Sequence, residues 1–169
     1  MKVFSVYGYS LSGKTTTIEC LIKELNKRNY TVGTVKDIHY EEFALDTIGS
    51  NTDRHRKAGA ELVTARGLYE TDILFKERLP IPEILKFYTQ AFVILEGVSD
   101  FEVARILCSS ILDDAAERIN PSVFAISGVI SNEMDCYKNL PVISAIKDIE
   151  KLTDLVEKTA KDWSPYGRN

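Results

Sequence analysis

The sequence contains few of the residue types that mark specialised protein classes. Its 169 residues include three cysteines, two histidines and one tryptophan. Cys20, Cys108 and Cys136 are too widely separated for a disulfide framework or a zinc-finger pattern, so we expect free thiols. Neither His39 nor His55 has a second histidine at metal-ligand spacing, which disfavours a histidine metal site.

The chain also lacks a long apolar run and an excess of positive charge. No apolar stretch approaches the roughly 18 residues of a membrane helix, and no leader-like segment precedes the first motif. We therefore expect a cytoplasmic protein without a membrane partner. The formal net charge is -4 at pH 7, so the composition gives no support for nucleic-acid binding.

The composition is that of one folded domain. Hydrophobic residues make up 44% of the chain and charged residues 27%, as in ordinary globular proteins. We find no internal repeat or low-complexity linker. The sequence therefore predicts a single domain over residues 1–162 and a flexible tail over residues 163–169.

The start of the chain has the pattern of a strand, a glycine loop, a helix and a second strand. Lys2–Tyr7 is apolar and β-branched, Thr15–Arg28 has an apolar face at helical spacing, and Thr31–Val35 is again strand-like. This order is a βαβ unit and implies a parallel sheet. The predicted fold is a three-layer α/β sandwich of the P-loop nucleoside triphosphatase type, with a mostly parallel sheet and an added antiparallel hairpin.

Hydrophobic periodicity and breakers predict the remaining elements. Residues 37–51 are polar and form an unusually long connection, which is typical of a functional loop. Further along we expect a short helix at 54–58, strands at 60–65 and 69–75, a helix from Pro80 to Tyr88, strands at 92–95 and 105–108, a helix at 111–119, strands at 123–126 and 141–145, and a last helix from Ile149.

The segment Gly8–Thr15 (GYSLSGKT) matches the phosphate-loop pattern of glycine, four residues, glycine, lysine and Ser or Thr. Glycine at both ends permits close backbone approach, so the N–H groups between them, including those of Ser10 and Ser12, converge on phosphate oxygens at a helix start. The ammonium of Lys14 would bridge the outer phosphates, and the Thr15 hydroxyl would ligate Mg²⁺.

Two carboxylates are candidates for the metal side of this site. Glu96 ends the apolar run FVILE, and Asp37 follows the second predicted strand. Carboxyl ends of parallel strands meet at one edge of a sheet, where ligands bind in such folds. Either residue would hold Mg²⁺ through water or orient an attacking water, so the catalytic candidates are Lys14, Glu96 and Asp37.

Two further polar groups have more than one interpretation. The basic run that begins at Arg54 (RHRK) is either a phosphate-binding group or a solvated helix face. Asn132–Asp135 follows a predicted strand and is either a base-reading segment or an ordinary turn.

The motifs GYSLSGKTT, VGTVK, RHRKAGAE and FVILEG, in this order from Met1 to about Cys108, resemble those of the molybdopterin-guanine dinucleotide biosynthesis protein B family. Similarity is weaker through LPVIS and the last helix. The resemblance implies a GTP-binding protein with feeble hydrolysis, usually a homodimer. It also implies assistance to the enzyme that joins a guanosine nucleotide to molybdopterin.

The resemblance carries over residue by residue. It implies phosphate and magnesium roles for Gly8, Ser12, Gly13, Lys14, Thr15 and Thr16, loop and short-helix roles for Asp46, Gly49, Arg54, His55, Ala58, Gly59 and Ala60, and a strand-end role for Glu96 and Gly97. The chain departs from the family pattern at Asp37 and Tyr40, where histidines are usual, at Ser50–Thr52, and at Val98 and Ser99, where an aromatic residue and a lysine are expected.

The sequence therefore predicts a GTP- and Mg²⁺-binding, weakly GTP-hydrolysing accessory protein of molybdenum-cofactor biosynthesis. The expected partners are molybdopterin, the nucleotidyl-transferring enzyme and a second copy of the chain. Two alternatives stay open. One is a small-molecule kinase, for which Arg118 is the lone lid candidate; the other is a nucleotide-gated adapter that delivers a cofactor without turnover.

Overall fold

The structure is a computed structural model that describes residues 1–40, 43 and 46–165. Parts of the predicted 37–51 loop and of the predicted tail lie outside these residues. The described strands are β1 (Lys2–Tyr7), β2 (Val32–Lys36), β3 (Leu62–Arg66), β4 (Thr71–Phe75), β5 (Phe92–Glu96), β6 (Ala104–Cys108), β7 (Val123–Ser127), β8 (Cys136–Tyr137), β9 (Leu140–Pro141) and β10 (Lys161–Asp162). The helices are α1 (Lys14–Lys27), α2 (Asn51–Lys57), α3 (Ile81–Leu85), α4 (Leu112–Arg118) and α5 (Ile149–Thr159), with a 3-10 helix at Val129–Asn132.

Two compact units are distinguished by their internal packing. The first comprises Met1–Asp37 and Lys86–Asn169, and the second is Ile38–Leu85. The prediction of one domain over residues 1–162 stays a prediction. In none of the described residues is there a helix with the length and apolarity needed to cross a bilayer.

A mostly parallel sheet forms the centre of the first unit, as predicted. Its strands lie in the order β2-β5-β1-β6-β7, all parallel. The register places Glu96 of β5 beside Val6 of β1 on one side and Lys36 of β2 on the other. The carboxyl ends of these three strands are therefore level with one another.

Helices cover both faces of this sheet. On one face, Leu21 and Leu25 of α1 and Leu152 of α5 join a core with Ile106 of β6. On the other, Leu107 of β6 packs in a second core that includes Ala115 of α4. Adjacent residues of β6 thus serve opposite cores, as the alternation of a strand requires. This arrangement is the predicted three-layer sandwich.

The packing of α1 against α5 is reinforced by charge. Arg28, which follows α1, lies 2.9 Å from Glu24 through Nε and 2.7 Å from Asp154 of α5 through NH1. The carboxylate hydrogen bonds hold the pKa of Arg28 above its ordinary value, with the Glu24 bond the largest cause. The guanidinium therefore stays charged and ties the two helices together.

The second unit contains an antiparallel hairpin, β3 with β4, in agreement with the predicted hairpin. Short helix α2 precedes it and begins at Asn51, three residues before the predicted start. Ser50 explains the difference, because its Oγ accepts a hydrogen bond from the Asp53 N–H at 3.0 Å and caps the helix. The predicted pattern rested on the basic residues alone and missed this cap.

Two other predicted boundaries were wrong. The helix expected to run to Tyr88 ends at Leu85, and the Tyr88 ring lies over Gly33, where a Cβ would approach its Cδ1 to 2.4 Å. The strand expected at 141–145 is instead the two-residue β9, followed by a single parallel bridge from Val142 to Ile126. Tertiary packing decides both boundaries.

Residues 161–163 add pairing that the sequence did not predict. β10 runs antiparallel to the start of β1, and the Trp163 N–H donates to the Met1 carbonyl at 2.8 Å. A two-residue strand is too short to show a hydrophobic period. The start of the predicted tail is thus hydrogen-bonded to Met1, directly before β1, and its flexibility stays a prediction.

The core position of α5 is testable with a matched pair of leucines. Leu152 is fully buried, whereas Leu68 is 93% exposed. We expect Leu152→Ala to lower the free energy of unfolding by roughly 2–5 kcal/mol, because a buried truncation loses apolar burial and leaves a cavity. Leu68→Ala should change it by less than about 0.5 kcal/mol. Urea unfolding followed by circular dichroism measures both, and equal losses would contradict the assigned core.

Candidate functional site

The glycine loop, residues 8–13, connects β1 to α1 at the carboxyl edge of the sheet. Gly8 has φ +145°, and a Cβ there would lie 2.0 Å from the Cys108 carbonyl oxygen. Leu11, at the apex, has φ +61° and is 94% exposed. The left-handed region is uncommon for a non-glycine residue, so the surrounding backbone holds the loop in this shape.

The loop ends at the start of α1, which has the properties of an anion site. Gly13 is the N-cap with φ 91°, and no side chain of the described residues caps the helix. A helix start carries N–H groups without intrahelical partners and the positive end of the helix dipole. The exposed side chains of Thr15 and Thr16 lie in this first turn. Oxygen-rich anions suit such a terminus.

Lys14 and Ser12 point to the same ligand chemistry. The Lys14 ammonium donates to the Gly8 carbonyl at 3.0 Å and to the Tyr9 carbonyl at 2.5 Å. The Ser12 hydroxyl is buried and has no hydrogen-bond partner among the described residues. Buried polar atoms are rarely left unpaired. The loop therefore offers a cation and a hydroxyl to a polar group that the described part of the chain does not supply.

Gly128, directly after β7, packs against the glycine loop and forms the other wall of this site, called the cradle below. Sequence reasoning did not identify it. A Cβ on Gly128 would lie 2.0 Å from the Ser12 carbonyl oxygen. The next N–H, that of Val129, donates to the same carbonyl at 3.3 Å. A glycine that follows a buried strand is the signal that would have identified it, since Gly8 follows β1 in the same way.

The two residues predicted to supply carboxylates, Glu96 and Asp37, are joined through their main chains at this edge. Glu96 Oε1 is 2.8 Å from the Lys36 ammonium, with the Glu96 side chain only 15% exposed. The Asp37 N–H donates to the Glu96 carbonyl at 2.9 Å, and the Gly97 N–H donates to that of Val6 at 3.1 Å. The ends of β2, β5 and β1 are therefore joined, as the sequence predicted for Glu96 and Asp37.

Cys108 lies beneath the glycine loop and reports on the local electrostatics. Its thiol donates to Thr17 Oγ1 at 3.5 Å. Burial raises the pKa of this thiol to about 12, and the Thr17 hydrogen bond opposes the rise. The charges of Lys14 and Glu96 act on the same thiol, lowering and raising its pKa respectively. The predicted lysine and carboxylate therefore both influence the pKa of this one buried thiol.

No group of three or more His, Cys, Asp or Glu residues suited to a metal occurs in the described parts of the chain. A hard cation such as Mg²⁺ usually takes one or two carboxylates and completes its shell with water and phosphate oxygens. Thr15, Glu96 and Asp37 fit that division. The residues present are therefore compatible with Mg²⁺ that arrives with a phosphate ligand.

Arg54 belongs to the second unit and is exposed on α2. Asp46, in the same unit, accepts hydrogen bonds from Ser50 and Thr52, each at 2.8 Å. The Thr52 hydrogen bond is the largest cause that lowers the pKa of Asp46. This cluster orders the turn before α2. The predicted phosphate role of Arg54 stays a prediction.

A cavity of about 120 Å³ opens beside the first turn of α1. This cavity, called the α1 cavity below, is bounded by Gly13 and Thr16, by the segment after β7, and by Ala145 and Ile146. A larger cavity of about 540 Å³ includes Asp135. Asn132 lines both.

The end of α4 also reaches the glycine loop, which the sequence did not predict. The Tyr9 hydroxyl donates to Glu117 Oε2 at 2.9 Å. Arg118 lies with its guanidinium carbon 3.7 Å from the centre of the Tyr9 ring. The predicted lid candidate is thus part of a helix that packs on the sheet.

Comparison with known proteins gives consistent results. The family model described as Molybdopterin guanine dinucleotide synthesis protein B matches residues 3–127. A protein of Methanocaldococcus jannaschii, named a putative molybdopterin-guanine dinucleotide biosynthesis adapter protein, is 33% identical over 103 residues, or 59% of this chain and 42% of that protein. A Bacillus subtilis protein, named a probable adapter of the same biosynthesis, is 23% identical over 147 residues, or 85% of each chain.

The fold is shared with a solved structure. The crystal structure of Bacillus subtilis MobB superposes with a TM-score of 0.76 at 20% identity, covering 96% of this chain and all of that one. At this identity the likeness concerns the fold alone. The α/β architecture with a mostly parallel sheet is thereby confirmed.

Gly128 provides a sharp test of the cradle, with Gly49 as the matched control. Their φ angles are +87° and +86°, but a Cβ on Gly49 would meet nothing within 4 Å. Both alanine substitutions place a side chain at positive φ, which costs about 1–3 kcal/mol, and at Gly128 the ψ of -154° puts this cost at the upper end because that region is essentially confined to glycine. Gly128→Ala should cost roughly 1–3 kcal/mol more, because its methyl group overlaps the Ser12 carbonyl.

Chemical denaturation of the two variants measures the difference. Equal destabilisation would show that Gly128 is required for its backbone angle alone. It would also contradict the close approach of the two segments.

Proposed function

We propose a function for this chain from its family: it belongs to the molybdopterin guanine dinucleotide synthesis protein B family. In this proposal it binds GTP with Mg²⁺, hydrolyses it weakly, and acts as an adapter in molybdopterin guanine dinucleotide synthesis. The relatives' names include the word adapter, and the partner enzyme would be the one that transfers the nucleotide to molybdopterin.

The observation that carries the nucleotide proposal is the unpaired Ser12 hydroxyl inside the glycine loop. It lies between two glycines and beside the uncapped start of α1. A phosphate group supplies acceptors for that hydroxyl, for the loop N–H groups and for the Lys14 ammonium together. A neutral ligand would leave the cation without a counter-charge.

The α1 cavity supports a nucleoside attached to those phosphates. It adjoins Thr16, directly beyond the turn proposed to bind phosphate. Val129 and Ile146 provide apolar surface, while Asn132 and Ser144 provide polar atoms at its edge. A flat aromatic base has this same division between apolar faces and a polar rim. The choice of guanine rests on family membership.

Weak hydrolysis follows from the state of Glu96. When bound, Mg²⁺ would neutralise charge on the outer phosphates and lower the barrier to their transfer. In this proposal Thr15 would hold it, with Glu96 or Asp37 on the side of the strand ends. Because Glu96 is already paired with Lys36 at 2.8 Å, its carboxylate is engaged in that ion pair rather than free to contact an attacking water. The chain thus orients water more readily than it activates it.

The packing of α4 argues against the kinase alternative. Arg118 ends a helix whose Ala115 is fully buried in the core. A kinase lid has to open and close over its phosphates. Because α4 is packed on the sheet, Arg118 is held in one position and does not move as a lid residue would.

A homodimer is supported by one face of the β3–β4 hairpin. Leu62 pairs with Phe75 and Thr64 with Ile73, so their side chains share a face. Leu62, Ile73 and Phe75 are 52%, 49% and 37% exposed. A two-stranded hairpin is marginal by itself, so a second copy of the chain that covers this face would stabilise it.

Nucleotide preference is the first property to measure. We expect GTP to bind about tenfold more tightly than ATP in Mg²⁺, because a base edge that lacks its hydrogen bonds leaves polar atoms unpaired. Lys14→Ala should weaken GTP binding roughly 10- to 100-fold. Lys23→Ala, on the exposed face of α1, should leave it unchanged. Isothermal titration measures all three, and equal or tighter ATP binding would overturn the guanosine assignment.

The hairpin surface makes a separate prediction about oligomeric state. Ile73→Lys places a charge on the shared apolar face and should convert a dimer into a monomer. Asp72→Lys introduces the same residue on the opposite face of β4 and should leave the dimer intact. Analytical ultracentrifugation gives the result. A monomeric wild type, or a dimer that survives both changes, would refute this assignment.

A further inference from the structure

The last turn of α4 holds the second residue of the glycine loop by its side chain. The Arg118 guanidinium carbon lies 3.7 Å above the Tyr9 ring, well within cation–π range. The Tyr9 hydroxyl, at the end of the same ring, donates a hydrogen bond to Glu117 Oε2 at 2.9 Å. Neither contact is needed to form the core, since Tyr9 lies in the loop and is half-buried.

These contacts bring a second cation to the glycine loop. The main-chain carbonyl of Tyr9 accepts from the Lys14 ammonium at 2.5 Å, and its ring carries the Arg118 guanidinium. A guanidinium stacked on a ring uses its face, so its in-plane N–H donors stay available for hydrogen bonds. Arg118 Nε is buried and has no hydrogen-bond partner among the described residues.

Position along the loop indicates which phosphate Arg118 would meet. The N–H groups at the start of α1 suit the inner phosphates, and the lysine of a glycine loop reaches the outer two. Since the Lys14 ammonium lies against the Tyr9 carbonyl, the Tyr9 side of the loop is the outer side. A cation on the Tyr9 ring would therefore lie on the side of the loop where a terminal phosphate would bind.

We infer that Arg118 is a second phosphate-binding cation of the glycine loop, selective for the terminal phosphate of a nucleoside triphosphate. This inference rests on the proposed nucleotide binding and adds the residue that tells a triphosphate from a diphosphate. Tyr9 is the positioning residue, because its ring sets the plane and height of the guanidinium. Arginine suits the role, since its fork of donors matches phosphate oxygens in pairs.

The test compares binding of a non-hydrolysable GTP analogue with binding of GDP, both in Mg²⁺, by titration calorimetry. We expect Arg118→Leu to weaken binding of the triphosphate analogue roughly 10- to 100-fold and binding of GDP by less than about threefold. Arg118→Lys should restore part of the difference, because it keeps the charge and loses the fork. Lys158→Leu, at an exposed position of α5, controls for general loss of positive charge.

Tyr9 variants separate positioning from packing. Tyr9→Phe removes the hydrogen bond to Glu117 and keeps the ring, so discrimination between the two nucleotides should persist. Tyr9→Leu removes the ring and should reduce discrimination as Arg118→Leu does. The double variant should then lose little more than either single one, which is the signature of residues that act as a unit.

Three outcomes would overturn the inference. Equal weakening of both nucleotides by Arg118→Leu would make Arg118 a packing residue of the loop. Unchanged binding of both would remove it from the site. If the wild type binds neither nucleotide, the proposed function itself fails. If the wild type binds both nucleotides and Arg118→Leu does not change the preference between them, the proposed function stands and this inference alone is rejected.

Discussion

Direct contact between main-chain segments at the carboxyl edge of the sheet is the constraint on which the rest of the site depends. Gly8 lies against the Cys108 carbonyl, and Gly128 lies against the Ser12 carbonyl, each so closely that a Cβ would approach the oxygen to 2.0 Å. The glycine loop is thereby held between the ends of β6 and β7. Its N–H groups are oriented before any ligand arrives, and pre-orientation lowers the entropic cost of binding.

The charged side chains of the site lie on either side of the glycine loop and not on residues 8–13 themselves. The sheet beneath is apolar, with Ile94, Ile106 and Leu107 fully buried. Lys14 follows the loop, and the Lys36–Glu96 pair lies at the neighbouring strand ends. Because an apolar core has a low effective dielectric, such charges act over longer distances than they would in water. The raised pKa of the Cys108 thiol is a direct sign of that environment.

Local chemistry explains which parts of this arrangement the sequence could predict. β1, the glycine loop and α1 are contiguous from Lys2 to Lys27, and their glycine spacing and apolar periodicity are visible within that one segment. The position of Glu96 was predictable for a similar reason, since it ends a buried strand, while its role stays a prediction. Contacts between distant segments left no such trace. Tyr9 and Glu117 are 108 positions apart, and no periodicity links them.

Short elements and side-chain caps were the other source of error. β10 has two residues and is defined only by its pairing with β1. The start of α2 depends on one serine hydroxyl, which a pattern of basic residues does not reveal. Gly128 looked like any glycine in a loop until its neighbour in space was known. In each case the deciding interaction joins residues through space or through a single polar atom, where propensity carries little information.

The chemical reactivity of the buried Cys108 thiol depends on whether the glycine loop and α1 stay packed against β6. Its sulfur is enclosed by α1 through Thr17, and its own carbonyl is covered by Gly8. While these segments stay together, a pKa of about 12 keeps the thiol protonated and unreactive. Only separation of the glycine loop and α1 from β6 would restore ordinary thiol reactivity. The rate at which a small alkylating reagent modifies Cys108 therefore counts the opening events of the site, in the way that amide exchange counts local unfolding.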